Sequence, residues 1–324
     1  MKKTILSLFC VLALCLGLLP TTALAAAPSG QELYVGGVQI SSTGYWTTGD
    51  DGTVTSAGAT QPGDSYIHYD ADTNTLTLHN ATIQKELHSD LFISGSAIGV
   101  INQSGDAELN IQLEGSNKIE EVTQGLSMGI YVYSSGGGAA LNIKGNGTLV
   151  LNSNYETIQV IGSNGNAALS IENAKVTATS SYGFGLTVQS GSSETSSASL
   201  TVDGGSLTAT AQSSNVSGIR LRSGTGETGD GTPTVTVSNN ASVRANGSAG
   251  GITSNSSTGI QYETGGNATG GIVFDGKNGT VYGTVELQDD LEIGKDESLT
   301  IGKGASLTAV SYTHLRAHET AANL

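Results

Sequence analysis

Along most of the chain, apolar residues recur as short apolar-x-apolar doublets rather than at helical spacing. The first kind of doublet reads Leu76/Leu78, Leu109/Ile111, Leu141/Ile143, Leu169/Ile171, Leu200/Val202, Val235/Val237, Ile272/Phe274 and Leu299/Ile301. Their starts lie 33, 32, 28, 31, 35, 37 and 27 residues apart. A Gly/Asn turn follows each doublet, as in Lys144-Gly145-Asn146-Gly147 and Asp203-Gly204-Gly205. These residues suit turns because they tolerate positive φ. A second strand follows, marked by Ile83, Ile119, Leu149, Val176, Leu207, Val243, Val281 and Leu307. A third doublet completes the unit: Ile98/Val100, Ile130/Val132, Ile158/Val160, Leu186/Val188, Ile219/Leu221 and Ile260/Tyr262.

Alternation of this kind predicts strands, and a period near 30 residues predicts a solenoid. One coil cannot bury its inward Leu, Ile and Val alone. Stacked coils line them into continuous inner ladders while the backbone pairs above and below. The sequence therefore predicts an all-β fold, a right-handed parallel β-helix with three strands per coil over residues 71–309. Seven to eight coils would make a rod of about 35–40 Å at the spacing of paired strands. A two-sheet sandwich also fits alternating strands, but it lacks an internal repeat of this length. Residues 26–70 fall outside the repeat and carry Trp46; they are expected to form an N-terminal β cap over strand edges that would otherwise template association.

Both ends of the chain read differently. Residues 1–25 combine Lys2 and Lys3, an apolar run from Ile5 to Leu19 and the terminus Ala23-Leu24-Ala25. This is the pattern of a secretory signal peptide, and the run is short for a bilayer core of about 30 Å. Residues 310–324, beginning VSYTHLRAHET, break the repeat. Their reverse translation matches a transposase-type sequencing adapter, so this segment is expected to be an artefact that truncates the natural C-terminus. The two cysteines, Cys10 and Cys15, fall inside the leader, leaving a secreted chain without disulfides or thiolate chemistry. Of 13 Lys+Arg and 28 Asp+Glu, setting aside Lys2, Lys3, Arg316 and Glu319 leaves 10 against 27, a net charge of −17. Such a chain would be repelled by nucleic acid and anionic membranes, and no membrane insertion is expected after leader cleavage.

LYVGGVQI from Leu33, YDADTNTLTLHNATI from Tyr69, the GIYV-type third strands and the closing VELQDDLEIGKDESLTIGKGASLTA resemble secreted Gram-positive surface proteins of the carbohydrate-binding-domain parallel β-helix type. The resemblance covers nearly all of the mature chain. It implies binding at the cell surface rather than catalysis.

Three groups of residues carry candidate chemistry. Outward third-strand positions supply Tyr131, Tyr133, Gln159, Thr187, Gln189, Arg220, Arg222, Gln261 and Glu263. Tyrosine rings that stack on sugars, beside amides and guanidinium forks, suit a polysaccharide groove; the same residues also suit any exposed strand. Beside the first strands run His79, Gln112, Lys144, Glu172, Asp203, Ser238 and Asp275. Glu172 and Asp203 on neighbouring coils are candidate catalytic carboxylates at a separation of about 5 Å, or plain turn residues with Lys144 as counter-charge. Asp70, Asp72 and Asn74 have the D-x-D-x-N spacing of a calcium loop, although Thr75 and Ala81 stand where that loop needs Gly and Glu. Calcium is the only cofactor the sequence brings into consideration. His68, His79 and His88 match no zinc spacing. Gly136–Gly138 is expected to be a turn between strands, and the connections Gln189–Ser199 and Arg222–Thr234 are the longest. The expected function is a secreted or wall-associated protein binding extracellular polysaccharide or a host or cell-surface glycan, or acting as an adhesin. The alternatives are a lyase or glycoside hydrolase on the same scaffold, and a passive surface stalk.

Overall fold

The computed structural model describes residues 26–84, 95–120, 127–191, 196–224, 231–265, 269–287 and 290–309, and the backbone of 315–317. The leader, His88 and parts of both long connections lie outside the described residues. Among the described residues every regular element is a strand, and no helix is long and apolar enough to cross a membrane. Strands are numbered along the chain.

Three sheets run along a parallel β-helix. Sheet I holds the first strands: β6 (Thr75–His79), β9 (Ala107–Glu114), β12 (Ala139–Lys144), β15 (Ala167–Glu172), β18 (Ala198–Asp203), β21 (Thr234–Ser238) and β24 (Gln261–Glu263). Sheet II holds the second: β7 (Thr82–Gln84), β10 (Ser116–Glu120), β13 (Thr148–Ser153), β16 (Lys175–Ser180), β19 (Ser206–Ala211), β22 (Ala241–Asn246) and β25 (Gly271–Asp275). Sheet III holds β8 (Ser96–Asn102), β11 (Met128–Ser134), β14 (Ile158–Gly162), β17 (Leu186–Ser190), β20 (Ile219–Ser223) and β23 (Ile252–Ser254). Successive strands within each of these three stacks pair in parallel, and register is set by the inward ladders. Leu109, Leu141, Leu169, Leu200 and Val235 stand one above another in sheet I, and all are buried. A shift of one residue would turn each ladder to solvent.

The N-terminal residues close one end with antiparallel strands. β1 (Gln31–Val35) pairs with β8 and, through Gly36-Gly37, with β2 (Val38–Ile40). Both glycines have positive φ, 56° and 78°, as a two-residue hairpin turn requires. β3 (Gly44–Thr48), β4 (Val54–Gly58) and β5 (Tyr66–Asp70) extend sheet I past β6. Trp46, Ile67 and Tyr69 carry the core into this cap.

The helix makes six turns by the strands of sheet III, fewer than the seven to eight read from the sequence, because the last doublets were assigned to the wrong faces. Tyr262, expected on a third strand, pairs with Val235 in sheet I. The third strand of that turn is instead β23, whose Ile252 pairs with Ile219. Ile272 and Phe274, expected on a first strand, lie on β25 in sheet II, where Val273 continues the ladder of Val243. At the start the register also differs: Leu76 sits beside Ile111 rather than Leu109.

After β25 the chain doubles back. β26 (Asn278–Tyr282) pairs antiparallel with β25 across Gly276-Lys277. β27 (Thr284–Leu287) and β28 (Leu291–Ile293) follow, then β29 (Ser298–Ile301), β30 (Ser306–Ala309) and β31 (Leu315–Ala317) pair in parallel on β26, β27 and β28. Ile272, Phe274, Val281, Val285, Leu287 and Leu291 form a second small core. Arg244 joins the two parts, lying 3.9 Å over the Phe274 ring and donating to Glu297 and to the Glu292 carbonyl.

Candidate functional site

The outward third-strand ladder forms in the expected register. Tyr131 stands beside Gln159, Gln159 beside Thr187, and Thr187 beside Arg220. Tyr133 is followed by Ile161, Gln189 and Arg222. The strands therefore bring together Tyr131, Tyr133, Gln159, Gln189, Arg220 and Arg222. Gln261 and Glu263 do not belong to this face, since β24 lies in sheet I; Gln261 donates to Glu263 at 2.7 Å.

Tyr131 departs from the exposed ring that sugar stacking needs. It is 8% exposed and stacks on Tyr133 with centroids 5.7 Å apart and planes 12° apart. Burial, the nearby Tyr133 and Glu156 push its hydroxyl well above the usual phenol range. Residues two apart on one strand share a face, so Tyr131 turns a ring face to Tyr133 of the same β11 rather than offering it to a ligand.

The polar centre of this face is a residue that the repeat pattern passed over. Glu156, in the turn between β13 and β14, is 1% exposed. Its carboxylate accepts from Arg220 Nη2 at 2.9 Å and from the Gln159 amide. Arg220 also lies 3.7 Å over the ring of Phe184, and Arg222 donates to Gln189 at 3.5 Å. The pair thus ties three successive turns at their outer face. Burial pushes the Glu156 carboxyl up, against the attraction of Arg220 and Arg222. Burial also lowers the Arg220 guanidinium, against the pull of Glu156. Arg220 Nε and the Ser190 hydroxyl are buried and find no hydrogen-bond partner among the described residues.

The turns that carry Glu156 and Phe184 also carry Tyr155 and Tyr182, which are 38% and 67% exposed. The turns stack directly: Tyr182 N donates to the Asn154 carbonyl at 2.8 Å, and the Ser180 hydroxyl donates to the Tyr155 carbonyl. Gly183 sits against the Tyr155 backbone, where a Cβ would come within 2.7 Å of it. Tyr155 and Tyr182 are thus exposed on the adjacent turns that also carry Glu156 and Phe184, the two groups that hold the Arg220 guanidinium in place. The signal for them was present in the sequence as Asn154-Tyr155-Glu156 and Ser181-Tyr182-Gly183-Phe184, between strands rather than on them.

The other candidate groups resolve into turn chemistry. Glu172 and Asp203 do occupy adjacent positions on β15 and β18. Asp203 accepts from the Ser238 hydroxyl at 2.6 Å and the Asn239 amide at 2.5 Å, whereas Glu172 is exposed. Lys144 adjoins Glu172 in register, without an ion pair between them. Asp70 accepts from the Asp72 amide at 3.0 Å and the Thr73 hydroxyl at 2.9 Å. Asn74, with φ of 48°, accepts from Tyr69 and donates to the Glu108 carbonyl. Its side chain is thereby committed to the hairpin and the next turn. Among the described residues no group of three or more His, Cys, Asp or Glu is arranged to hold a metal. His68 and His79 belong instead to an aromatic row: His68 lies 4.3 Å from Tyr45, and His79 stacks on Tyr66 at 4.8 Å while its Nδ1 meets Glu114 at 2.9 Å.

Comparison with protein-family models, with curated proteins and with solved structures returns no match.

Proposed function

We propose that this chain is a secreted or wall-associated β-helix that binds extracellular polysaccharide, through the corner where sheet II passes into sheet III. The observation that carries the reading is the pair Tyr155 and Tyr182, exposed on the adjacent turns whose Glu156 and Phe184 anchor Arg220. An exposed tyrosine offers an apolar ring face and a hydroxyl at low conformational cost. The anchored guanidinium offers directional donors for hydroxyls or carboxylates. Repetition of the turn along the rod suits a polymeric ligand, because successive sugar units meet equivalent backbone positions. The leader-like residues 1–25 support export. Tyr131 takes no direct part in this reading; it is buried and stacks on Tyr133.

The test is a pull-down of the full chain on insoluble polysaccharides and on a glycan array, with and without calcium. Retention on a defined glycan is expected, and Tyr155→Ala/Tyr182→Ala is expected to lose it. Both side chains are exposed, so this variant should stay within about 0.5 kcal/mol of the parent in stability. No retention on any glycan would leave a passive stalk as the better account. Release of soluble sugar during incubation would instead turn attention to Glu172 and Asp203.

A further inference from the structure

A cleft of about 390 Å³ separates the outer face of sheet II from the strands that double back over it. It is independent of the tyrosine corner, and no candidate drawn from the sequence falls in it. Its volume lies within the range of roughly 300–1,000 Å³ typical of small-molecule sites. Ile272, Leu287 and Leu291 supply an apolar floor, and all three belong to the small second core. One wall carries Lys175 and Ser242 from β16 and β22; the facing wall carries Glu286 and Asp290 from around β27 and β28.

The turn ladder supplies the remaining wall. Asn173, Asn239 and Asn240 have φ of 57°, 53° and 61°, so each turns sharply and brings amide groups to the cleft mouth. The scaffold already fixes two of these amides: Asn239 donates to Asp203 and accepts from Thr269, and Asn240 accepts from the Glu286 backbone at 2.8 Å. An apolar floor under a ring of preset amides, hydroxyls and charges matches the two faces of a sugar ring, with C–H groups below and hydroxyls at the edge.

We infer that this cleft is a second saccharide site, taking a short neutral or amino-bearing sugar in preference to a uronic acid. The preference follows from the charges among the described lining residues, two carboxylates and one ammonium, which favour a cationic or neutral guest and disfavour an anionic one. Saturation-transfer NMR on the full chain tests it, with glucose, galactose, mannose and glucosamine as probes and glucuronate as the charge control. Transfer to at least one of the first four and weaker transfer to glucuronate is expected. Ser242→Trp, which fills the cleft, should abolish the signal. Lys175→Ala, at an exposed strand position that folding tolerates, removes the ammonium of that wall and should widen the preference for glucosamine over glucuronate. Tyr155→Ala/Tyr182→Ala should leave it unchanged, so that failure here and failure of the corner site are read separately. Absence of transfer to all four sugars overturns the inference. So does a signal that survives Ser242→Trp, or glucuronate binding as well as glucosamine.

Discussion

At the scale of single residues, Glu156 sets the character of the outer face. A carboxyl whose pKa is raised on folding holds its proton more tightly in the folded chain than in the unfolded one. The protonated form then favours folding, and stability from this group falls as pH rises above the usual carboxylate value of about 4.3. The direction at Glu156 is upward, with burial outweighing Arg220. Glu156→Gln keeps the shape and removes the titration. Chemical denaturation at several points between about pH 4 and 8 should therefore show the parent losing ground to Glu156→Gln as pH rises. A difference that stays flat with pH would mean that Arg220 offsets the burial in full. Arg220→Ala is the harsher change: it leaves a buried carboxylate without its cation, a loss of about 3–5 kcal/mol in comparable pairs.

At the scale of strands and turns, the inner ladders hold the fold and the turns decide its course. Leu169 is packed between Leu141 and Leu200 and is 1% exposed. Leu169→Ala should cost about 2–5 kcal/mol, since the turns above and below hold the cavity open; a thermal or denaturant midpoint measures it. These ladders were legible in the sequence because inward positions must be apolar on every turn, whatever the turn lengths. The doubling back at β25 was not. Asp275-Gly276-Lys277-Asn278 makes a two-residue hairpin with Gly276 at φ 59°, while Asp203-Gly204-Gly205-Ser206 makes the corner from sheet I to sheet II with Gly204 at φ 67°. Both need a left-handed residue after an acid, so the local signal is the same. What separates them is which faces of Ile272 and Phe274 find cover, and that is supplied by Leu287 and Leu291 further along the chain. The candidate site divides in the same way. The register of Gln159, Thr187 and Arg220 could be read from the strands. Glu156, Tyr155 and Tyr182 could not, because turn residues have no fixed direction until the coils stack. Tyr131 was placed on the right face but given too much exposure, since pattern alone does not show that Tyr133 packs on it.

At the scale of the whole molecule, an excess of acid over base of 15 charges and six stacked turns give an extended, acidic rod. Charge of this size opposes contact with polyanions and leaves neutral or cationic glycans as the better electrostatic match. The rod carries its two proposed sites on separate regions: the corner of the middle turns, and the cleft under the returning C-terminal strands. The antiparallel cap at one end and the β25–β26 reversal at the other interrupt the parallel stacking, which resumes where β29 pairs with β26.

The stacking direction has a mechanical consequence. Hydrogen bonds between turns point along the rod, so a load applied through its two ends pulls on one inter-turn seam at a time instead of shearing long strands past each other. Registers of 28 residues between Leu141 and Leu169 and 35 between Leu200 and Val235 mean that each turn peeled away releases about 100–120 Å of chain at roughly 3.5 Å per residue. Single-molecule stretching should show a series of small steps of that length, and one cooperative rupture would contradict it. A rod built this way lengthens under load and yields turn by turn while the remaining turns stay folded.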